Sequence, residues 1–351
     1  MFFALITKKQ RIFAKNHSNR KMRYLNSFLI LTAALMIYSC SKCKDNKPTE
    51  VVESDYVSTA PTFNVDSAYE FIRKQCEFGP RVMNSQAHDK CGDYIVETFK
   101  KYGAEVYEQN VDLKLYDGTP IKNRNIIAAF NPDSPDRIII ASHWDSRPWA
   151  DNDANEDNHK TPIDGANDGA SGVGVMMELA RLFAANPPKF GVDLICFDAE
   201  DAGTPQWESV DETESSWCIG SQYWAGKHHI DGYQAHYGIL LDMVGGPNSV
   251  FRQEGFSVRM ASQYVDRVWT AAQRLGYGNY FLNELGGFIT DDHLQVCNSG
   301  IPCIDIIASD KDQGGFCKTW HTINDNIQNI DRNTLKAVGQ TVTEVIFVDG
   351  I

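Results

Sequence analysis

Residues 137–153, RIIIASHWDSRPWADND, join an apolar run to a cluster of polar and aromatic side chains. The run at 137–141 is typical of a strand buried in a sheet. The residues that follow it include a histidine, two tryptophans and three aspartates, a composition that a solvated loop rarely has. The segment therefore predicts a core strand whose end either is plugged by the tryptophans or faces a functional site.

Apolar runs of strand length alternate with amphipathic segments along the chain. Runs at 104–115, 125–130, 137–141, 192–197, 238–244 and 301–308 predict strands, and segments at 66–77, 85–101, 220–227, 257–275 and 331–347, with one more starting near Ala170, predict helices. This alternation predicts an α/β fold, a three-layer sandwich whose central sheet is mixed but mostly parallel and is flanked by helices. Sites in such folds form at the carboxyl ends of the strands.

The net charge argues against nucleic acid as a partner. The chain has 351 residues, a formal net charge of −13 and 42% hydrophobic residues, which is ordinary for a globular protein. Contact with phosphates requires clustered lysine and arginine side chains. We therefore expect no binding of nucleic acid.

The first 40 residues have the composition of an export signal. They contain seven basic and no acidic residues, and an apolar segment at 25–38 leads to Ser39 and Cys40. The segment is short for a membrane span. It resembles a bacterial lipoprotein signal with Cys40 as the lipidated residue; a plain cleaved signal or a membrane anchor are the alternatives. We expect an exported protein, lipid-anchored in the bacterial cell envelope and facing the periplasm.

The domain organisation expected from the sequence is simple. Residues 1–40 are expected to form the signal peptide, residues 41–60 are polar and predict a flexible tether, and residues 61–351 are expected to form a single folded domain. Seven cysteines follow the tether, and no CxxC zinc spacing occurs among them. Cys196 and Cys303 lie in apolar runs and are expected in the core. The pairing of the cysteines stays open.

Side chains that bind metals follow the predicted strands. They are His143 and Asp145, Asp168 within GANDGASG at 165–172, Glu200 and Asp201, Asp242, and His321. Taken singly, Asp168 could be a helix cap, Glu200 and Asp201 a solvated loop, and His321 a packing residue. Together, at the edge where parallel strands end, they predict a site for one or two zinc ions.

These motifs resemble the zinc-dependent aminopeptidase superfamily of the M28 type. Several stretches are similar to its glutaminyl cyclase branch and to the bacterial members related to the animal enzymes: FDAED at 197–201, LLDMVGGPN at 240–248, DDH at 291–293 and WHTINDN at 320–326. The resemblance covers about residues 65–350.

The resemblance implies a role for each matching residue. Asp168, Asp201 and His321 would bind a single zinc ion, and Glu200 would be the general acid and base. Asp242 and Asp291 would form a carboxylate network beside Glu200. Trp207, Trp320 and Phe316 would line the substrate pocket. Two residues depart from the animal pattern: Asp201 replaces a glutamate, and Asp305 replaces a histidine, so Asp305 either joins the network or is satisfied by backbone amides.

The implied activity is cyclisation of N-terminal glutamine to pyroglutamate with release of ammonia. Its partners would be peptides or proteins that begin with glutamine, and we expect a monomer. A two-zinc aminopeptidase, with His143 and Asp242 on the second ion, is the main alternative, and a non-catalytic surface receptor is a third. The acidic loop 151–164 is expected to be a solvated insertion rather than a lid or flap.

Overall fold

The computed structural model describes residues 56–208, 216–312 and 314–351. The strands are β1 Glu105–Lys114, β2 Pro120–Phe130, β3 Arg137–His143, β4 Gly191–Phe197, β5 Gly238–Asp242, β6 Ser249–Gln253, β7 Phe281–Leu285 and β8 Cys303–Asp310. The α-helices are α1 Val65–Glu77, α2 Gln86–Lys101, α3 Ala170–Ala185, α4 Ile219–Gly226, α5 Gly255–Arg274, α6 Asp292–Asn298 and α7 Arg332–Glu344.

All eight strands join in one mixed sheet with the order β1-β2-β4-β3-β5-β8-β6-β7. The four central strands β4, β3, β5 and β8 are parallel to one another. The pairs β1–β2, β2–β4 and β6–β8 are antiparallel. The carboxyl ends of the central strands therefore meet at a single edge of the sheet, as the sequence predicted.

Both faces of the central strands are buried, which explains their unbroken apolar runs. Along β3, Ile138 and Ile140 pack into the larger core with α1, α2, α3, α5 and α7. Ile139 and Ala141 point to the opposite face and pack with Trp224 of α4 and Val296 of α6. Helices thus cover both faces of the sheet, and the predicted three-layer α/β sandwich is confirmed.

Three short elements are not predicted by the sequence: β6, β7 and α6. β6 and β7 have five residues each and α6 has seven. A helix of seven residues has about two turns, and a strand of five residues has about two repeats of apolar and polar side chains. Their hydrophobic periodicity is therefore too weak to detect in the sequence. Their positions are decided by tertiary contacts: β6 pairs with β8, β7 pairs with β6, and α6 packs against β5 and β8.

The predicted signal peptide, including Cys40, lies outside the described residues. The last residues of the predicted tether, from Tyr56 onward, are described. They pack on the fold, because the hydroxyl groups of Tyr56 and Ser58 donate hydrogen bonds to Glu344 of α7. The folded unit therefore begins before residue 61. Within the described ranges, no helix has both the length and the apolarity of a membrane span.

Candidate active site

The predicted site residues reach one edge of the sheet by different routes. His143 is the last residue of β3, Asp242 is the last residue of β5, and Glu200 and Asp201 follow the end of β4. Asp168 precedes α3, which starts after Gly169 in the left-handed region with φ 92°. His321 comes from the loop after β8. The structure brings these six side chains together at that edge.

Asp168, Asp201 and His321 form a buried triplet whose potential ligand atoms lie within 4.8 Å of one another. His321 Nε2 is 3.1 Å from Asp201 Oδ1 and 3.6 Å from Asp168 Oδ2. Both carboxylate oxygens of Asp201 are buried, and apart from the contacts of Oδ1 with His321 and, at 3.8 Å, with Arg147 they have no polar partner. Burial, partly offset by His321, raises the pKa of Asp201 to about 6. Buried carboxylates gathered around a common point fit a metal site, and two carboxylates with one imidazole suit zinc.

A second triplet shares Asp168 with the first. His143, Asp168 and Asp242 also place one ligand atom each within 4.8 Å of the others. Here the imidazole makes hydrogen bonds with both carboxylates: His143 Nε2 lies 3.0 Å from Asp168 Oδ1 and 3.3 Å from Asp242 Oδ1. Asp168 and Asp242 therefore already have a partner within the protein.

Two buried aspartates hold the loops that carry the first triplet. Asp145 accepts hydrogen bonds from the backbone nitrogens of Glu200 and Asp201, each 3.1 Å long. Asp325 accepts from the backbone nitrogens of Asn167 and Asp168, at 2.8 and 3.0 Å. Paired amide donors on one carboxylate fix both the position and the direction of a loop. The sequence groups Asp145 with the metal-binding side chains and predicts no role for Asp325.

His321 is oriented by a third buried aspartate. Its Nδ1 lies 3.4 Å from Asp151 Oδ1, and Asp151 pairs with Arg147 at 2.6 Å. A carboxylate behind the second nitrogen of a histidine is typical of metal sites. Asp153 also accepts a hydrogen bond from the backbone nitrogen of Ile323. The start of the 151–164 loop therefore supports the site, whereas the expected solvated character holds for its exposed middle at 154–157.

Glu200 begins a row of carboxyl groups that leads away from the triplet. Potential ligand atoms of Glu200 and Asp291 lie within 4.8 Å of each other, and so do those of Asp291, His293 and Asp305. Burial, together with the charge of Asp291, raises the pKa of Glu200 well above its usual value. Neither oxygen of Asp305 accepts a hydrogen bond, so Asp305 is not satisfied by backbone amides and belongs to this group.

The triplet and Glu200 form the floor of a cavity of about 870 Å³. Phe316, Trp320 and Trp217 line its walls. Trp320 stacks on His321 with ring centroids 3.9 Å apart, and Phe316 packs on Trp320 at 4.7 Å. Aromatic walls above a few charged groups are typical of a pocket that binds a small molecule or the end of a peptide.

The structure does not bring Trp207, which was predicted in the pocket wall, to the cavity. Trp207 is 43% exposed, lies edge-on to Trp149 and is not among the residues that line the cavity. Trp217 lines the cavity instead, nearly parallel to His321, with the Arg147 guanidinium 4.4 Å from its ring. The sequence could not show which of the two tryptophans lines the cavity, because both follow Glu200 in the same long connection between β4 and α4.

The backbone around the site is held in an unusual conformation. Ala199, Cys218, Met243 and His321 all have positive φ angles, between 50° and 57°. Non-glycine residues adopt this region rarely and at an energetic cost. Four such residues at the strand ends indicate that the surrounding packing imposes the geometry of the site.

Comparison with known proteins agrees with this geometry. The sequence profile of peptidase family M28 matches residues 125–346. A glutaminyl cyclase from Bacteroides thetaiotaomicron is 53% identical in sequence, with a TM-score of 0.81 over 82% of this chain and 99% of that chain. A protein from the same organism described as a leucine aminopeptidase precursor is 52% identical, with a TM-score of 0.80 over 83% of this chain and 99% of that chain.

Curated relatives are more distant and longer. The bovine glutaminyl-peptide cyclotransferase is 29% identical over 240 residues, 60% of this chain and 62% of its own length. An aminopeptidase of Bacillus subtilis is 26% identical over 273 residues, 74% of this chain and 52% of its own length. The chain thus spans between about half and three fifths of these two relatives.

Proposed function

The chain belongs to peptidase family M28, and we propose that within this family it is a zinc-dependent glutaminyl-peptide cyclotransferase. It would convert an N-terminal glutamine of a peptide or protein to pyroglutamate and release ammonia. The likeness to a glutaminyl cyclase over 99% of that chain supports this substrate class.

The observation that carries the one-metal proposal is the difference between the two triplets. His321 lies close to Asp201 and Asp168 without hydrogen-bond geometry, whereas His143 makes hydrogen bonds with both Asp168 and Asp242. A cation at Asp168, Asp201 and His321 would satisfy the first triplet, whereas the imidazole of His143 already satisfies the carboxylates of the second. Zinc bound there would supply a Lewis acid for the side-chain carbonyl of the substrate.

Glu200 is suited to move the proton. In the reaction the α-nitrogen bonds to the side-chain carbonyl carbon, and the bond from that carbon to the amide nitrogen breaks. Glu200 would take a proton from the α-amine and give it to the departing ammonia. A raised pKa brings a carboxyl group nearer to neutral pH, where it can act in both directions.

The walls of the cavity would supply the orientation. The substrate carries both its nucleophile and its electrophile, so the task of the protein is to fold the glutamine side chain back onto its own amine. Trp320, Phe316 and Trp217 would enclose that folded side chain and exclude water. Exclusion of water matters because hydrolysis of the same amide would give glutamate.

The two-zinc aminopeptidase remains the second candidate because of one observation. The triplet His143, Asp168 and Asp242 has the composition and proximity of a metal site. In that case Glu200 would activate water, and the first residue of the peptide would be removed.

One experiment separates the two activities. Protein lacking residues 1–43 is supplied with zinc and incubated with a peptide that begins Gln-Phe, and the product is analysed by mass spectrometry. The proposal predicts loss of one ammonia from an otherwise intact peptide. Removal of the whole first residue would refute it in favour of the aminopeptidase.

For the intact protein we propose export, lipidation at Cys40 and a periplasmic site of action as a monomer. This part is supported by the basic and apolar N-terminal segment alone. Metabolic labelling with a fatty-acid analogue tests it. Label in the wild type and none in Cys40→Ala is the expected result, and label in both would refute lipidation at Cys40.

A further inference from the structure

One buried cysteine lies against the proposed general base. The Sγ atom of Cys218 is 3.2 Å from Oε1 of Glu200, within reach of a hydrogen bond to sulfur. Cys218 is fully buried. The cyclisation chemistry described above uses no thiol, so this contact is not explained by the reaction itself.

The backbone holds the two side chains together. Three consecutive amides, those of Cys218, Ile219 and Gly220, donate to the carbonyl groups of Glu200, Ala199 and Asp198 at 3.0, 3.0 and 3.1 Å. The start of α4 thus pairs with the loop after β4 in a fixed register. Gly220 permits this approach, because a Cβ atom there would lie 2.1 Å from the carbonyl oxygen of Asp198. The contact between thiol and carboxylate is therefore set by the fold.

The thiol can serve only as the donor. Burial, with a further contribution from the charge of Glu200, raises the pKa of Cys218 well above its usual value. An S–H group is a weak donor. Such a donor can fix the direction of a carboxylate while withdrawing little of its basicity, whereas a strong donor would make Glu200 a poorer base.

We propose that Cys218 is a positioning residue whose thiol donates a hydrogen bond to Glu200 and aims that carboxylate at the substrate amine. The inference rests on the role proposed above for Glu200. It assigns Cys218 no contact with the substrate or with zinc. The loss of the thiol should therefore slow turnover more than it weakens substrate binding.

The kinetic test compares three variants. Cys218→Ala should lower kcat about three- to tenfold, the equivalent of one ordinary hydrogen bond, with little change in KM. Cys218→Ser restores an O–H donor and should recover part of the loss. Cys91→Ala is the matched control, because Cys91 is equally buried but lies in α2 outside the cavity. A lowered melting temperature with unchanged kcat in both Cys218 variants would overturn the proposal.

Infrared spectroscopy tests the contact without relying on activity. The S–H stretching band of Cys218 is isolated as the difference between wild type and Cys218→Ala, and again in the background of Glu200→Ala. We expect the band at lower frequency when Glu200 is present, because donation weakens the S–H bond. An identical band in both backgrounds would overturn the proposal. If the wild type instead fails to release ammonia, the proposed function fails, while the spectrum still decides whether the thiol donates to Glu200.

Discussion

The imidazole of His143 lies against the carboxylate of Asp168, with Nε2 3.0 Å from Oδ1. The other oxygen of Asp168 faces His321 at 3.6 Å. Asp168 is therefore the shared member of two triplets, and the number of metal ions depends on whether His143 acts as a hydrogen-bond partner or as a ligand.

Replacement of His143 by alanine tests this dependence. In a one-zinc cyclase the variant should keep one zinc per chain and lose about 10- to 100-fold in activity, the usual effect of removing an outer hydrogen-bond partner. Metal analysis by mass spectrometry and a cyclisation assay measure the two quantities. Two zinc ions in the wild type, with loss of one ion and of activity in the variant, would contradict the one-metal site.

Glu200→Gln should separate chemistry from metal binding. The amide cannot exchange the proton, so kcat should fall about 10²- to 10⁴-fold. The metal triplet is untouched, so zinc content should stay at the wild-type level. Release of ammonia and zinc content are measured on the same preparation. Substantial turnover by the variant would remove Glu200 from the role of general base.

Asp325→Ala should weaken zinc binding although Asp325 is not one of the proposed ligands. The carboxylate of Asp325 holds the amides of Asn167 and Asp168, and its loss frees the loop that carries one ligand. We expect zinc affinity to fall about 10- to 100-fold, the usual effect of removing an outer partner of a ligand. Competition with a chelator measures the affinity, and Asp133→Asn, at an exposed loop position, is the control. Equal affinity in all three proteins would show that Asp325 does not position Asp168.

Gly220→Ala should destabilise the fold. The added methyl group would meet the Asp198 carbonyl oxygen at 2.1 Å and the Asn125 side-chain oxygen at 2.7 Å. Overpacking of this kind should lower the free energy of unfolding by about 1–3 kcal/mol. Gly226→Ala in the same helix is the matched control, because a Cβ atom there would meet no atom within 4 Å. Urea unfolding compares them, and equal midpoints would argue against the close approach.

Glu254 should contribute a pH-dependent part of the stability. Burial opposes ionisation of Glu254, but the contact with His293 and hydrogen bonds from the amides of Phe256 and Ile289 lower its pKa from 4.5 to about 2. The folded state then binds fewer protons than the unfolded state, so this stabilisation is complete above about pH 4.5 and is lost as the pH falls through about 2.

Glu254→Gln should therefore lose less stability on acidification than the wild type. Urea unfolding of zinc-free protein at several values between about pH 3 and pH 6 measures the difference. The other carboxyl groups are common to both proteins and cancel in the comparison. Parallel acid profiles would show that Glu254 is not stabilised as a carboxylate.

The layered α/β fold and the grouping of the candidate site residues follow from the sequence alone. Continuous apolar runs can be buried only on both faces of a sheet, and parallel strands place the residues that follow them at a common edge. No interatomic distance is therefore needed to predict that His143, Asp168, Glu200, Asp201 and Asp242 lie close together. The short motif around each residue and the order of the strands are sufficient for this prediction.

The side chains that support this group are defined only by tertiary packing. Trp217 rather than Trp207 lines the cavity, and Cys218 touches Glu200, because the start of α4 pairs with the loop after β4. Asp325 reaches the amide of Asp168 across 157 positions of the chain. Such contacts depend on how distant segments pack, and no periodicity or spacing along the chain records that arrangement.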